Sequence, residues 1–151
     1  MRVVIVAAGR WKKGPERDLF DHYAARITFA LELREIEEKK KLKPAALKAR
    51  EAELLLAQVP DGAVIAALHE GGKTLSSTAF AAKLGIWRDE ARDVAFLIGG
   101  ADGLDEAVRK RADVILGLGA MTWPHLLVRG MLAEQIYRAQ CILAGHPYHR
   151  N

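Results

Sequence analysis

Four short, uninterrupted apolar runs constrain the fold of this chain more than any other feature of its sequence. They cover residues 3–8, 63–68, 94–98 and 114–118, and a glycine follows each of them within three residues. A continuous apolar run is typical of a strand buried on both faces, as in a parallel sheet covered by helices. A fifth run, residues 31–36, alternates apolar with charged residues and predicts an exposed or edge strand.

Segments with helical patterning separate these runs. Helices are predicted over about residues 15–29, 44–58, 76–88, 104–112 and 122–145. Ser76 or Ser77 is a candidate N-cap, and Gly145 suits a helix end. The Gly71–Gly72 pair predicts a turn. Since strands alternate with helices, we expect an α/β fold with a mostly parallel central sheet, in a single domain of residues 1–151.

Composition excludes several classes of protein. A length of 151 residues suits one domain, and a net charge of +4 permits an anionic partner without requiring one. The single cysteine, Cys141, rules out a disulfide framework and a cysteine-rich zinc site, and the histidines lack metal-ligand spacing, so no metal is expected. Without a long apolar run or a signal peptide, the chain is expected to be cytoplasmic, with no membrane partner.

Three glycine-bearing loops follow strands in the second half of the chain. They cover residues 68–72, 99–103 and 117–124. In open α/β sheets, ligands bind beyond the carboxyl ends of the strands, and glycine lets a ligand approach the backbone. The loops match neither the dinucleotide-binding nor the phosphate-binding fingerprint, so a small ligand held by backbone groups is the better interpretation.

The last segment carries polar residues in an apolar context. Arg129 and Arg138 lie on the last helix, where they are either functional or surface charges with their stems on the apolar face. The tail, residues 146–151, reads HPYHRN and is equally well explained as functional or as solvated. The charge run at residues 37–43 is better explained as a solvated face than as a phosphate-contacting patch.

Four motifs together are similar to a known family. They are LIGGADGL (97–104), MTWPHLLVR (121–129), EQIYRA (134–139) and HPYHR (146–150). The chain resembles, essentially from end to end, the bacterial RlmH family of SPOUT-class methyltransferases. This resemblance implies methylation of N3 of a pseudouridine in 23S ribosomal RNA, with S-adenosylmethionine as the methyl donor, on the assembled ribosome and as a homodimer.

The resemblance also implies a C-terminal trefoil knot that holds the methyl donor, with the last helix in the dimer interface. When the family's motif positions are matched to this sequence, the resemblance implies eight cofactor-binding positions. They are Leu68, Gly100, Gly119, Ala120, Met121, Thr122, Trp123 and Pro124. They fall in the three glycine-bearing loops, so the two lines of reasoning agree.

Methyl transfer to N3 requires alignment of the base and loss of its proton or stabilisation of the resulting anion. We expect Tyr148, His149 and Arg150 to fold over the cofactor loops of the partner subunit, with Arg138 and Arg150 stabilising negative charge. His149 is the first candidate proton acceptor and His125 the second, although alignment and electrostatics alone could suffice.

Two other classes of function are alternatives to this interpretation of the sequence. One is a non-enzymatic RNA- or ribosome-binding module with a degenerate cofactor site, against which the loops and the complete tail argue. The other is a nucleotide-dependent oxidoreductase, which the missing glycine fingerprint disfavours.

Overall fold

The computed structural model describes residues 1–150, and ten elements alternate along this part of the chain. The strands are β1 (Arg2–Ala8), β2 (Ala30–Ile36), β3 (Val64–Thr74), β4 (Val94–Ile98) and β5 (Val114–Gly117). The helices are α1 (Pro15–Ala24), α2 (Pro44–Ala57), α3 (Ser77–Asp89), α4 (Glu106–Arg111) and α5 (His125–Ala144).

The strands form one parallel sheet in the order β2-β1-β4-β3-β5. Alternate residues of β1 enter different apolar clusters: Val3 and Ile5 pack with α1, α3 and α5, whereas Val4 and Val6 pack with α2 and α4. Helices therefore cover both faces, which explains why the central strands are continuously apolar. The alternating strand β2 lies at one edge of the sheet, as its pattern predicts. The knot stays a prediction.

The Gly71–Gly72 turn is the clearest error of the sequence interpretation. Strand β3 continues through Thr74, and both Leu68 and Lys73 lie opposite Leu116, so residues 69–72 form a bulge within the strand. A Cβ on Gly72 would lie 2.7 Å from the backbone carbon of Leu116. The glycine is needed there because two backbones approach closely, and not because the chain turns.

Helix α1 is shorter than the pattern predicts, since it ends at Ala24 and not near residue 29. Turn hydrogen bonds follow, and the N–H of Thr28 donates to Oε1 of Gln140 over 2.6 Å. The side chain of Gln140, on α5, thus accepts the hydrogen bond that a carbonyl of α1 would accept if the helix continued. Other boundaries agree more closely: Ser76 caps α3 by accepting from the N–H of Ala79, and Gly145 ends α5 in a left-handed conformation.

Candidate active site

The carboxyl ends of β3, β4 and β5 surround a cleft of about 720 Å³. The positions carried over from the resemblance line it with one exception, since Ala120 is not among the lining residues. The lining positions are Leu68, Gly100, Gly119, Met121, Thr122, Trp123 and Pro124. The topology thus brings the three glycine-bearing loops to one site, as expected for strand ends in a parallel sheet.

The loop formed by residues 118–124 is held by one contact to β3 and one within the loop. Oγ1 of Thr122 donates to Oε2 of Glu70 over 2.8 Å, and Nε1 of Trp123 donates to the carbonyl of Leu118 over 3.1 Å. Gly119 has a φ of 103°, and a Cβ there would meet no atom within 4 Å. Met121 lines the cleft and is 74% exposed. These contacts leave the inner backbone of the loop open to the cleft.

The loop after β4 is folded tightly on itself. A Cβ on Gly99 would lie 2.6 Å from the backbone carbon of Gly103, and the N–H of Gly103 donates to the carbonyl of Gly100 over 3.0 Å. The carboxylate of Glu51, on α2, lies close to Gly100 of this loop. Burial, and secondarily the charge of Asp102, raise the pKa of Glu51.

His125, the first residue of α5, also lines the cleft. Burial lowers the pKa of His125, and the positive charge of Arg129 lowers it further. Since an unperturbed histidine has a pKa of about 6.5, the imidazole of His125 is neutral at pH 7. A neutral imidazole at the wall of the cleft can accept a proton.

Arg129 is fully buried, so its interpretation as a surface charge is wrong. One nitrogen pairs with Glu35 at 2.9 Å, and another donates to the carbonyl of Gly9 over 2.7 Å. The guanidinium also lies 4.6 Å from the centre of the Trp11 ring. Arg129 therefore ties the first turns of α5 to the carboxyl ends of β1 and β2, next to the cleft.

The tail folds back along α5 of its own chain. The hydroxyl of Tyr148 donates to Oε1 of Glu134 over 3.0 Å, and its ring contacts the ring of Tyr137 edge-on, with the centres 4.8 Å apart. Nη1 of Arg138 lies 3.2 Å from Nδ1 of His149, and Arg138 also pairs with Glu134. Arg138 thus has specific partners in the tail and on α5, whereas Arg150 is exposed.

Arg138, Tyr148 and His149 therefore lie together but apart from the cleft of the same chain, whereas His125 lines that cleft. Among the residues that the structure describes, those lining the cleft include neither Arg138 nor any of residues 148–150. A second cavity, of about 580 Å³, lies beside the tail and is lined by Tyr23, Glu134 and Gly119, among others. Gly119 borders both cavities, so the loop of residues 118–124 lies between the cleft and the second cavity.

Sequence reasoning missed several residues of this region. Glu134 stands four residues before Arg138, a spacing that places both on one helix face and could have revealed the pair. No local sequence pattern indicates the contacts of Glu70, Glu51 and Arg26, because their partners are distant in sequence. Cys141 is buried.

The described residues, 1–150, contain neither a metal-binding group nor a membrane-spanning helix. In that range, no three side chains of His, Cys, Asp or Glu are grouped so as to hold a metal ion. None of the helices described there has the length and apolar character needed to cross a bilayer.

Comparison with known proteins identifies the family. A family model described as "Predicted SPOUT methyltransferase" matches residues 1–149. A protein of Rhodospirillum centenum named ribosomal RNA large subunit methyltransferase H is 60% identical over 151 residues, covering 99% of both chains. The protein of the same name from Paramagnetospirillum magneticum is 57% identical, again over 99% of both.

Solved structures agree in fold. A probable methylase family protein from Haemophilus influenzae superposes with a TM-score of 0.59 at 10% identity, covering 99% of this chain and 70% of that one. A putative methyltransferase from Legionella pneumophila, solved with bound SAM, gives 0.50 at 18% identity, covering 92% and 66%. From the family model and the close relatives, this chain belongs to the SPOUT methyltransferases, in the RlmH family.

Proposed function

We propose that this protein transfers a methyl group from S-adenosylmethionine to N3 of a pseudouridine in 23S ribosomal RNA. It acts as a homodimer on the assembled ribosome, in the cytoplasm. The observation that carries the proposal is the convergence of three glycine-bearing loops on one cleft, in a chain 60% identical to a protein named as a large-subunit rRNA methyltransferase.

The cleft suits S-adenosylmethionine in size and chemistry. Its volume of about 720 Å³ lies within the usual range for small-ligand sites. Leu68, Met121 and Trp123 offer apolar contact for a purine ring, and the loops present backbone groups to polar atoms. The open space beside Gly119 allows a ligand to reach the backbone itself.

When bound, S-adenosylmethionine supplies an electrophilic methyl group on a positively charged sulfur. The protein has to place N3 in line with that methyl group and favour loss of the N3 proton. The neutral imidazole of His125, at the wall of the cleft, is suited to accepting this proton.

The tail is suited to stabilising the anionic base. A guanidinium can only donate hydrogen bonds, so Nδ1 of His149 accepts from Arg138, and in the neutral ring the other nitrogen carries the hydrogen. His149 then donates to an oxygen of the base. These contacts favour His125 as proton acceptor and His149 as donor, the reverse of the order expected from the sequence.

Tyr148 acts as a stacking surface, since the single hydrogen of its hydroxyl is donated to Glu134. Burial raises the pKa of Tyr148, and its hydrogen bonds to Tyr23 and Glu134 raise it further, so the hydroxyl remains protonated at neutral pH. The pKa of Tyr148 therefore disfavours a role as general base.

A homodimer accounts for the separation of tail and cleft within one chain. A two-fold interface along α1 and α5 would cover the apolar cavity beside the tail and could bring the tail of one subunit to the cleft of the other. Dimerisation also doubles the net charge of +4. That modest charge favours a target whose loop the ribosome already presents, since specific RNA recognition targets splayed bases in structured loops.

The experiment that tests the proposal is methyl transfer from labelled S-adenosylmethionine to purified ribosomes with and without the pseudouridine, followed by mapping of the modified base. We expect transfer to N3 only where pseudouridine is present. Transfer to another nucleotide would contradict the proposed specificity. Binding of S-adenosylmethionine without any transfer would instead support a non-enzymatic module.

A further inference from the structure

We infer that Glu134 and Arg26 are positioning residues for methyl transfer, which hold Tyr148 and His149 of the tail in one orientation. This inference rests on the proposed function, because it assigns to these residues the preparation of the tail for the transfer step. Neither residue lines the cleft, so each acts through the tail.

Glu134 connects the two tail residues through one carboxylate. Its Oε1 accepts from the hydroxyl of Tyr148 over 3.0 Å and pairs with Arg138, whose Nη1 lies 3.2 Å from Nδ1 of His149. The side chains of Glu134 and Arg138 are only 17% and 25% exposed. Partial burial strengthens such charge-assisted contacts, since solvent screens them less.

Arg26 holds the aromatic side of the tail. Its guanidinium carbon lies 4.2 Å from the centre of the Tyr137 ring and 5.6 Å from that of Tyr148, and Nη2 donates to the hydroxyl of Tyr137 over 2.8 Å. Gln140 fixes the backbone from which Arg26 projects, because its Nε2 donates to the carbonyl of Arg26 over 3.1 Å. The ring of Tyr137 thus contacts both Arg26 and Tyr148, so Arg26 supports the ring of Tyr148 mainly through Tyr137.

The described part of the tail has no regular secondary structure to hold its shape. Helix α5 ends at Ala144, and residues 146–150 belong to neither a helix nor a strand. An irregular chain end is ordered only where side-chain contacts offset its conformational entropy. Glu134 contacts the hydroxyl of Tyr148 directly, and Arg26 supports its ring through Tyr137.

The principal test is Glu134→Gln, which keeps the shape of the side chain and removes its charge. At saturating S-adenosylmethionine and ribosomes, we expect the transfer rate to fall by about 10- to 100-fold, as for a misplaced catalytic group. Affinity for S-adenosylmethionine, measured by calorimetry, stays unchanged. The matched control is Glu53→Gln, which removes an exposed carboxylate paired with Arg50 on α2 and leaves transfer at the original rate.

A readout independent of catalysis is hydrogen–deuterium exchange at the amides of residues 146–150. Exchange should quicken in Glu134→Gln and stay as in the unmodified protein in Glu53→Gln. Unchanged exchange, or an unchanged transfer rate, would overturn the inference even if the proposed function holds. If ribosomes are not methylated at all, the proposed function fails, while the exchange result still decides whether Glu134 orders the tail.

Arg26→Gln provides a second variant in case Glu134→Gln folds poorly, since Arg26 is exposed. We expect faster tail exchange and slower transfer, with S-adenosylmethionine affinity retained. Combining Glu134→Gln with Tyr148→Phe should cost less than the two separate losses added together, because the first substitution weakens the hydrogen bond that the second removes. Full additivity would show that Glu134 does not act through Tyr148, and would overturn that part of the inference.

Discussion

The cleft and the tail are built in different ways. The cleft consists of backbone loops at the ends of parallel strands, and its shape depends on positions such as Gly99 and Gly72, where a Cβ would strike the backbone. The tail depends on side chains, namely Glu134, Arg138 and Tyr137, each of which contacts it. We therefore expect ligand binding and methyl transfer to be separable by mutation.

The largest expected effect separates the two regions most sharply. Deletion of residues 148–151 should reduce methyl transfer by about 100- to 1000-fold, as does loss of groups that stabilise a transition-state charge. Calorimetry should find S-adenosylmethionine binding intact, since none of the described tail residues 146–150 lines the cleft of its own chain. Unchanged transfer would refute a catalytic role for the tail.

Replacement of Arg129 tests the buried link between α5 and the sheet. Arg129→Met should lower the free energy of unfolding by about 3–5 kcal/mol, because it leaves Glu35 and the carbonyl of Gly9 without their cation. Arg50→Met, at an exposed ion pair, should cost less than about 1 kcal/mol. Urea unfolding measures both, and equal costs would contradict the buried role of Arg129.

Because the cleft is built from backbone loops, a mutation there should weaken ligand binding and leave the tail unchanged. This defect is the opposite of that expected from the tail deletion. Gly99→Ala places a Cβ 2.6 Å from the backbone carbon of Gly103, so the loop must shift, at a cost of about 1–3 kcal/mol. We expect weaker S-adenosylmethionine binding by calorimetry, while tail exchange stays as in the unmodified protein. Unaltered affinity would show that the shape of this loop is not needed for binding.

The smallest effect is on stability as a function of pH. Burial and Arg129 lower the folded-state pKa of His125, so the unfolded chain binds a proton more readily than the folded chain does. The stability linked to His125 is thus fully present above its unfolded pKa of about 6.5 and is lost as the pH falls towards the folded value. His125→Asn should flatten the decline in unfolding free energy below pH 7. An identical decline in both proteins would contradict this linkage.

The difference between the two regions also explains what could be predicted. The strands and the loops of the cleft were predictable because continuous apolar runs and adjacent glycines are local patterns. The bulge at Gly72 was not, because it arises where the backbone of β3 passes that of β5. The motifs indicated Arg138 and Tyr148, but the contact of Tyr148 with Arg26 joins positions far apart in sequence.

By itself, the sequence determined the α/β class, the parallel sheet, the family and the loops that line the cleft, since these depend on periodicity and on contiguous motifs. Only the tertiary structure decided that Arg129 is buried, that the tail lies on α5, and that Glu134 connects Tyr148 with Arg138. A charge on an amphipathic helix can face solvent or a partner, and only the packing of neighbouring elements determines which.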